Sequence, residues 1–321
     1  MTGRKKLEMI LDGKVPATPP HWELVFQIEK DMFGMDLDAV PKRSRFKAQM
    51  EVYHRLVAEF DWAAVPGSYE ADGVKKIRKA MGSSALVPAY EGQGVFWMPN
   101  GDTIMDFSVR LFEDMKGLQA EARQKCHRAI EFFRHAVDAG ADFFVLTYDF
   151  GFNDAPFISP QHFAVLVTPY LTEIVQAIHD LGRKAILHSD GCITKLLDQL
   201  HGTGLDGYQS VDPQGHMDIR EVRRQYPDWI LMGNVACNML QDTNEKNIRE
   251  SVRYCMKHGG IGKPYIFSTS NCIFKGMPPE SYRTMHDEYR RMTRAAEKAA
   301  RARVGAAESL AGMPGNKPRH R

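Results

Sequence analysis

The sequence predicts an α/β protein built as a distorted, closed (β/α)8 TIM barrel. Short apolar runs of strand length alternate with longer segments in which apolar residues recur at helical spacing, which indicates a parallel sheet covered by helices. Seven strand-like runs lie outside residues 86–107, and an eighth strand is expected near residues 95–107. The first run is not followed by the GxGxxG turn of doubly wound dinucleotide-binding sheets, so a closed barrel is favoured. We assign residues 1–304 to this single domain.

The part of the chain before residue 110 has the least regular pattern. Its expected elements are a helix over 4–12, a strand over 21–26, a helix over 45–60 and a strand over 61–66. Residues 86–107 then divide into short apolar pieces separated by glycine-rich turns. The dipeptide Asn100-Gly101 between apolar runs is a strong hairpin signal. We therefore predict a β-hairpin excursion over residues 86–107.

Strand and helix alternate regularly from residue 118 onward. Ser159 followed by Pro160 has the preferred order for a helix start, with a capping side chain before a proline in the first turn. Residues 305–321 are rich in Gly, Pro and Arg and are predicted to be a disordered basic tail. The expected elements are helix 118–139, strand 143–147, helix 160–181, a strand from 185, helix 195–200, strand 207–210, helix 218–225, strand 229–232, helix 245–258, strand 264–268 and a helix from 279 to about 300.

The composition is that of an ordinary globular enzyme and excludes several other classes. A hydrophobic content of 43% and a net charge of +2 give no tendency toward nucleic acid or membrane surfaces. No apolar run approaches the length of a membrane span, and the first residues lack the apolar core of a secretory signal. Five cysteines without paired spacing indicate reduced thiols. We expect a cytoplasmic protein that acts on a small molecule, and its oligomeric state, a homo-oligomer included, stays open.

Candidate functional residues follow the strands, because the carboxyl ends of the strands form the functional face of a barrel. For Asp212 and Asn234, which lie beside Pro or Gly, a turn-stabilising role is an equal alternative. His188 is more informative, because it ends an apolar strand, whereas a structural histidine would more usually lie on the outer helices. The polar residues at strand ends are His21, Glu23, Tyr69, Glu70, Tyr148, Asp149, His188, Asp190, Asp212, Asn234, Asn271 and Cys272.

Two chemical arrangements can be built from this set. In the first, His188, Cys192 and Cys272 supply nitrogen and thiolate ligands to zinc, with Asp190 or Glu23 as an oxygen ligand. The spacing is not diagnostic, and Cys192 is equally well explained as a small buried residue. The second arrangement is free of metal. It uses Tyr148, Asp149 and Asp190 as acid, base or orienting groups around an organic substrate.

Several short motifs in the second half of the chain occur in a familiar order. They include Gly140-Ala-Asp142, Tyr148-Asp149, Ile158-Ser-Pro160, Thr168-Pro-Tyr-Leu171, His188-Ser-Asp-Gly191, Val211-Asp-Pro213, Gly233-Asn234 and Pro278-Pro-Glu280. With these motifs, residues 141–285 resemble the uroporphyrinogen decarboxylase superfamily, which includes the cobamide-dependent methyltransferases. The resemblance implies a distorted (β/α)8 barrel, in agreement with the fold expected from the alternation.

The sequence departs from true uroporphyrinogen decarboxylases at two places. Those enzymes carry an arginine-rich stretch just after the first strand, where arginines bind the substrate carboxylates. This chain has residues 23–29 there, with Glu23 and Glu29 and no arginine, so a polycarboxylate would be repelled. It also has Asn271-Cys272 where the decarboxylases place a histidine near the end of the last strand. Decarboxylation in the haem pathway is therefore disfavoured.

The methyltransferase branch of the superfamily holds zinc with a His-x-Cys pair and a distant cysteine. Here His188 occupies the matching place, Cys272 lies next to the place of the distant cysteine, and Asp190 replaces the first cysteine. The resemblance thus implies zinc held by His188, Asp190 and Cys272, with Glu23 as a further ligand. Tyr148 and Asp149 would orient the substrate. The remaining residues expected to bind substrate are His21, Tyr69, Asp212, Asn234 and Asn271.

The favoured function is accordingly methyl transfer that involves methylcobamide carried by a partner corrinoid protein. One alternative is a metal-free decarboxylase or lyase acting on a carboxylated substrate. The other is a non-catalytic barrel that binds a tetrapyrrole or corrinoid.

Overall fold

The computed structural model describes residues 1–311 and contains a six-stranded parallel sheet. The strands lie side by side in the order of the chain, and each neighbouring pair is parallel. They are β1 (Ala89–Glu91), β2 (Phe144–Thr147), β3 (Ala185–His188), β4 (Gly207–Ser210), β5 (Ile230–Gly233) and β6 (Tyr265–Ile266). Helices follow the strands, as the alternation of apolar patterns predicts.

Isolated parallel bridges continue the pairing beyond the six strands. His21 bridges Phe267, just after β6, and also Trp62. Ala64 then bridges Leu86, just before β1. The pairings therefore run from β6 through two short segments back to β1, so eight parallel segments make a ring. The predicted α/β fold with a parallel sheet is confirmed.

The helices lie near their predicted positions, with one split. Ser159 caps its helix as predicted, because its hydroxyl accepts a hydrogen bond from the backbone N–H of His162. The single helix expected over 160–181 is two helices separated at Val167, since Pro169 has no backbone N–H with which to continue the hydrogen bonds of the first helix. The helices are α1 (Gly3–Leu11), α2 (Glu29–Phe33), α3 (Lys42–Phe60), α4 (Ala71–Met81), α5 (Ile104–Glu113), α6 (Met115–Asp138), α7 (Pro160–Leu166), α8 (Thr168–Asp180), α9 (Leu197–Gly202), α10 (Ile219–Gln225), α11 (Cys237–Gln241), α12 (Glu245–Cys255) and α13 (Pro279–Ala311).

The hairpin predicted over residues 86–107 does not form. This stretch contains the parallel strand β1, a loop and the start of α5. The carbonyl of Asn100 accepts hydrogen bonds from the backbone N–H groups of Thr103 and Ile104, so the Asn100-Gly101 turn leads into a helix. An Asn-Gly dipeptide specifies a tight turn but not the element that follows it. The missing eighth strand is β1, slightly earlier than expected.

The last helix is longer than predicted. It continues through residues 305–311, the start of the expected tail. Ala306, Ala307, Glu308 and Leu310 are strong helix formers, which explains the extension. The rest of that tail, residues 312–321, lies outside the described residues. In the part of the chain described, no helix combines the length and the hydrophobicity needed to cross a bilayer.

Candidate active site

His188 ends β3 with its two ring nitrogens in different surroundings. Its Nδ1 is hydrogen-bonded to the side-chain oxygen of Gln209 on β4. Its Nε2 lies 3.7 Å from Asp149 Oδ1 and 3.9 Å from Asp190 Oδ2. The parallel register explains this meeting, since Thr147, His188 and Gln209 are direct neighbours across three strands. The ends of these strands thus bring one imidazole and two carboxylates together.

Both carboxylates are fixed by hydrogen bonds. Asp149 Oδ1 accepts from the backbone N–H of Asp190 at 3.0 Å. Asp190 Oδ1 accepts from the Ser210 hydroxyl at 2.7 Å, and its Oδ2 accepts from the side-chain amide of Asn271. Burial raises the pKa of Asp190, and the neighbouring Asp149 adds to this, while His188 and the Ser210 hydrogen bond act in the opposite direction. Asn271, expected to bind substrate, is thus engaged with Asp190.

A cavity of about 500 Å³ opens beside this cluster. Its walls are mainly aromatic and aliphatic, with the polar groups gathered at the strand ends. Among the residues that the structure describes, those around this cavity include no Arg and no Lys. The lining consists of Leu24, Val25, Tyr69, Tyr90, Gly92, Gln93, Trp97, Thr147, Asp149, His188 and Cys272.

The structure groups three potential metal ligands, His188 and Asp190 of the predicted set together with Asp149, which was predicted to orient the substrate. Asp149, His188 and Asp190 each offer one ligand atom, and these three atoms lie within 4.8 Å of one another. Among the described residues, this is the group of three possible ligands that lie so close together. Cys272 lines the same cavity but does not belong to the group. Burial, with Cys237 close by, raises the pKa of the Cys272 thiol to about 12.

Cys192 is also outside this group. Its sulfur lies 3.8 Å from the hydroxyl oxygen of Thr194, and its backbone N–H donates to the carbonyl of Phe152 at 2.7 Å. The side chain is partly exposed, so Cys192 is neither a member of the ligand group nor the fully buried residue considered as the alternative.

Glu23 and His21 form a buried pair away from the ligand group. One oxygen of Glu23 accepts from Ser268 Oγ at 2.9 Å, from Thr269 N–H at 2.9 Å and from Thr269 Oγ1 at 2.7 Å. The other oxygen lies 3.1 Å from His21 Nε2. The His21 ring packs against aromatic side chains that include Tyr282. The structure therefore does not bring the predicted metal ligand Glu23, or the predicted substrate contact His21, to the cavity.

The two predicted tyrosines have different positions. Tyr148 is fully buried and donates its hydroxyl hydrogen bond to Glu91. Successive residues of a strand point to opposite sides, so Thr147 and Asp149 reach the cavity and Tyr148 does not. Tyr69 lines the cavity, is 59% exposed, and donates to Thr147 Oγ1 at 3.3 Å. Tyr69 is thus available to a substrate.

Asp212 and Asn234 bind backbone groups in turns. Asp212 accepts from the N–H groups of Gln214 at 2.9 Å and Gly191 at 3.1 Å. Asn234 donates its side-chain amide to the carbonyl of Val211. The sequence left open whether these two residues bind substrate or stabilise turns. In the structure their side chains make the hydrogen bonds of turn-stabilising residues.

Two functional positions were missed from the sequence, Gln209 and Glu91. Gln209 interrupts a buried strand with a polar side chain, which is a signal that could have been used. Glu91 accepts from the backbone N–H groups of Gln93 at 2.7 Å and Gly94 at 3.0 Å. It therefore holds the loop that carries Gln93 and Trp97 in the cavity wall. Glu91 was missed because residues 86–107 were predicted to form a hairpin, whereas Glu91 ends a parallel strand.

The ligand group fits a divalent metal such as zinc. It offers one imidazole nitrogen and two carboxylate oxygens, and His188 and Asp149 face the cavity, where a further position can take substrate. The hydrogen bond that Gln209 accepts from His188, and those that Ser210 and Asn271 donate to Asp190, are the kind of outer contacts that orient metal ligands in proteins. Asp149 takes the place of the Cys272 thiolate of the predicted set, which makes the site harder in its metal preference.

Comparison with known proteins identifies one family. The family model described as Uroporphyrinogen decarboxylase (URO-D) matches residues 103–292. A search of curated protein sequences finds no match.

Two solved structures match this chain at low sequence identity. A methyltransferase from Methanosarcina mazei superposes with a TM-score of 0.70 at 14% identity, covering 91% of this chain and 99% of that chain. A sugar phosphate isomerase/epimerase from Parabacteroides distasonis gives a TM-score of 0.48 at 11% identity, covering 87% of this chain and 98% of that chain. The methyltransferase likeness shows a shared fold over nearly the full length of both chains.

Proposed function

Since the chain belongs to the uroporphyrinogen decarboxylase family, we propose that it is a metal-assisted methyltransferase that works with a separate corrinoid protein. In this proposal, the cavity binds a small methylated substrate. Asp149, His188 and Asp190 would hold zinc, and the methyl group would pass from the substrate to the cob(I)amide of the partner, which leaves the demethylated substrate and methylcobamide. The likeness to a methyltransferase fold is consistent with this reaction class.

The observation that carries the proposal is the position of His188 Nε2 between two carboxylates beside the cavity. Three ligand atoms within 4.8 Å of one another are the number that a catalytic zinc site requires. Two of the three residues, Asp149 and His188, also line the cavity. A metal at this position would therefore be accessible to a bound substrate.

The composition of the cavity wall supports a methylated substrate over a polycarboxylate. The rings of Tyr69, Tyr90 and Trp97 provide apolar contact area, and the wall residues described include no arginine or lysine to bind carboxylates. A carboxylated substrate would meet Asp149 without a compensating cation. The metal-free decarboxylase is therefore the weaker alternative.

The residues of this chain would bind, orient and shield the substrate. Zinc, when bound, would polarise the heteroatom of the substrate that carries the methyl group. Tyr69, at the exposed side of the cavity, donates its hydroxyl proton to Thr147 Oγ1 and can accept a hydrogen bond that orients the substrate. A cavity of about 500 Å³ suits a small organic molecule, so a corrin macrocycle would approach from outside on its own protein.

Metal analysis of protein purified without a histidine tag tests the metal site. We expect near-stoichiometric zinc in the wild type and its loss in His188→Ala. A matched control is His54→Ala, which changes an exposed histidine on α3 and should leave the zinc content unchanged. A wild type that contains no metal and is fully active would contradict the proposal.

An anaerobic spectroscopic assay tests the reaction. Free cob(I)alamin is mixed with the protein and aryl methyl ethers, and formation of methylcobalamin is followed by its absorption. We expect turnover that chelators abolish. Chelator-insensitive release of CO2 from a carboxylated substrate, lost in Asp149→Asn, would instead support the decarboxylase. Binding of cobalamin or porphyrin without any turnover would support a carrier barrel.

A further inference from the structure

Gln209 is a buried polar residue that the proposed reaction does not use directly. It is the third residue of β4 and is fully buried. Its side-chain oxygen is hydrogen-bonded to His188 Nδ1. Its side-chain nitrogen donates to the carbonyl oxygens of Ser270 at 3.3 Å and Thr269 at 3.5 Å. The whole amide group is therefore engaged, with a different kind of partner at each end.

These partners determine which way the Gln209 amide faces. Carbonyl oxygens only accept hydrogen bonds, so the NH2 group must face Thr269 and Ser270. The side-chain oxygen then faces His188, and it can only accept. His188 Nδ1 must therefore carry a proton. In the neutral imidazole this leaves the lone pair on Nε2, the nitrogen that faces Asp149 and Asp190.

The two carbonyl groups are themselves held in place. Glu23 accepts hydrogen bonds from Thr269 N–H and from Thr269 Oγ1, which fixes the segment after β6. The same segment carries Asn271, which donates to Asp190. One short segment, residues 268–271, thus supports both His188, through Gln209, and Asp190. The orientation of Gln209 follows from the architecture of the barrel end.

We propose that Gln209 is a positioning residue that fixes His188 as the Nδ1–H tautomer and so presents the Nε2 lone pair to the site. The tautomer assignment stands on the hydrogen bonds alone. Its consequence for metal binding rests on the proposed function, in which His188 Nε2 is a ligand. Fixing the tautomer of a ligating histidine typically changes metal affinity by about 10–100-fold.

The tautomer can be read in the metal-free protein by long-range 1H–15N correlation spectra of ring-labelled histidine. The His188 signals are assigned by their absence in His188→Ala. We expect Nδ1–H in the wild type and in Gln209→Glu, which keeps an oxygen acceptor. In Gln209→Met, which has similar length but no acceptor, we expect a population of the Nε2–H tautomer. Gln176→Met, on the exposed face of α8, is the matched control and should not alter the spectrum.

Zinc titration of the same proteins provides the second readout. We expect affinity to fall about 10–100-fold in Gln209→Met and to be retained in Gln209→Glu. An Nε2–H tautomer in the wild type, or an unchanged tautomer in a folded Gln209→Met, would overturn the inference. If the tautomers are as expected but the wild type binds no zinc, the proposed function fails and the role of Gln209 stands.

Discussion

The two nitrogens of His188 show how a single residue acquires a chemical role from its neighbours. A histidine at a strand end can be a ligand, a base or a structural donor, and the sequence does not separate these roles. In the structure, His188 Nδ1 is hydrogen-bonded to Gln209, and His188 Nε2 faces Asp149 and Asp190. The distinction comes from hydrogen-bond geometry across three strands, which adjacent residues in the sequence do not encode.

Zinc binding should depend on Asp149 and not on Cys272. Asp149 contributes an oxygen to the three-ligand group, while Cys272 lies outside that group. We expect Asp149→Asn to weaken zinc binding by at least about 100-fold, since direct ligands matter more than outer contacts. Cys272→Ser should bind zinc like the wild type. Competition titrations with a chromophoric chelator measure both constants.

The opposite result would support the zinc site with a Cys272 thiolate that the sequence resemblance implied. Loss of zinc in Cys272→Ser with retention in Asp149→Asn would place the metal nearer to Cys272. A second check uses iodoacetamide, because a thiol with a pKa of about 12 should be alkylated slowly at neutral pH. Rapid alkylation of Cys272 in the metal-free protein would contradict its protonated state.

At the scale of secondary structure, helices α12 and α13 are joined by one buried carboxylate. The side chain of Glu288 is 1% exposed and pairs with Arg253 at 2.6 Å, with Arg249 at 3.3 Å and with Arg291 at 2.5 Å. The Arg291 hydrogen bond, followed by that of Arg253, lowers the pKa of Glu288 to about 2. Apolar spacing predicted both helices but not this connection, because the pairing depends on how the helices pack.

Glu288 should make the free energy of unfolding depend on pH in the acidic range. Because its folded-state pKa is below the ordinary glutamate value of about 4.3, its contribution is complete above that value. The contribution is lost as the pH falls toward about 2. We expect Glu288→Gln to lower the free energy of unfolding by about 2 kcal/mol near neutral pH, the magnitude of charge-assisted hydrogen bonds. Urea unfolding followed by circular dichroism measures this difference.

The exposed carboxylate of Glu245 gives a matched control, since it also pairs with Arg249. Glu245→Gln should cost well under about 1 kcal/mol, because exposed ion pairs contribute little. The difference between wild type and Glu288→Gln should shrink between about pH 4 and about pH 2. A difference that stays constant over this range would show that the carboxylate charge is not responsible.

At the scale of the whole molecule, the sequence was sufficient for the repeating part of the fold. Strand and helix periodicity after residue 118 predicted the parallel sheet, because buried parallel strands are short and continuously apolar. The first two segments of the ring form only isolated bridges, and β1 has three residues, so their periodicity is weak. The Asn100-Gly101 turn was consistent with two different continuations, and only tertiary packing distinguishes them.

The same contrast applies to the candidate site. His188, Asp149 and Asp190 could be located, since they follow apolar strands and the barrel brings such ends together. The sequence could not predict which of the strand-end residues are ligands, which support the ligands and which stabilise turns. Tyr148 and Asp149 are adjacent, yet they point to opposite sides of β2. Glu23 is nearly 250 residues from Thr269, and their contact exists only because the ring closes.

Glu23 should therefore matter for closing the barrel and not for ligating metal. It connects the first segment to the residues after β6 by accepting hydrogen bonds from Ser268 and Thr269. Glu23→Gln replaces an acceptor by a donor opposite buried donors, which costs about 1–3 kcal/mol for each unsatisfied group. We expect the free energy of unfolding to fall by at least about 2 kcal/mol in urea titrations. Glu59→Gln, an exposed change on α3, should have almost no effect.

Zinc content separates this structural role from ligation. Folded Glu23→Gln should still bind zinc, although with affinity reduced by about the 10–100-fold that loss of an outer contact causes, since Thr269 supports Gln209. Removing a direct ligand such as Asp149 should weaken binding further than this. If Glu23→Gln is as stable as the wild type but contains no zinc, Glu23 is a ligand and the barrel closes without its help. If stability falls while zinc is retained, the first and last segments of the ring are joined through this buried carboxylate.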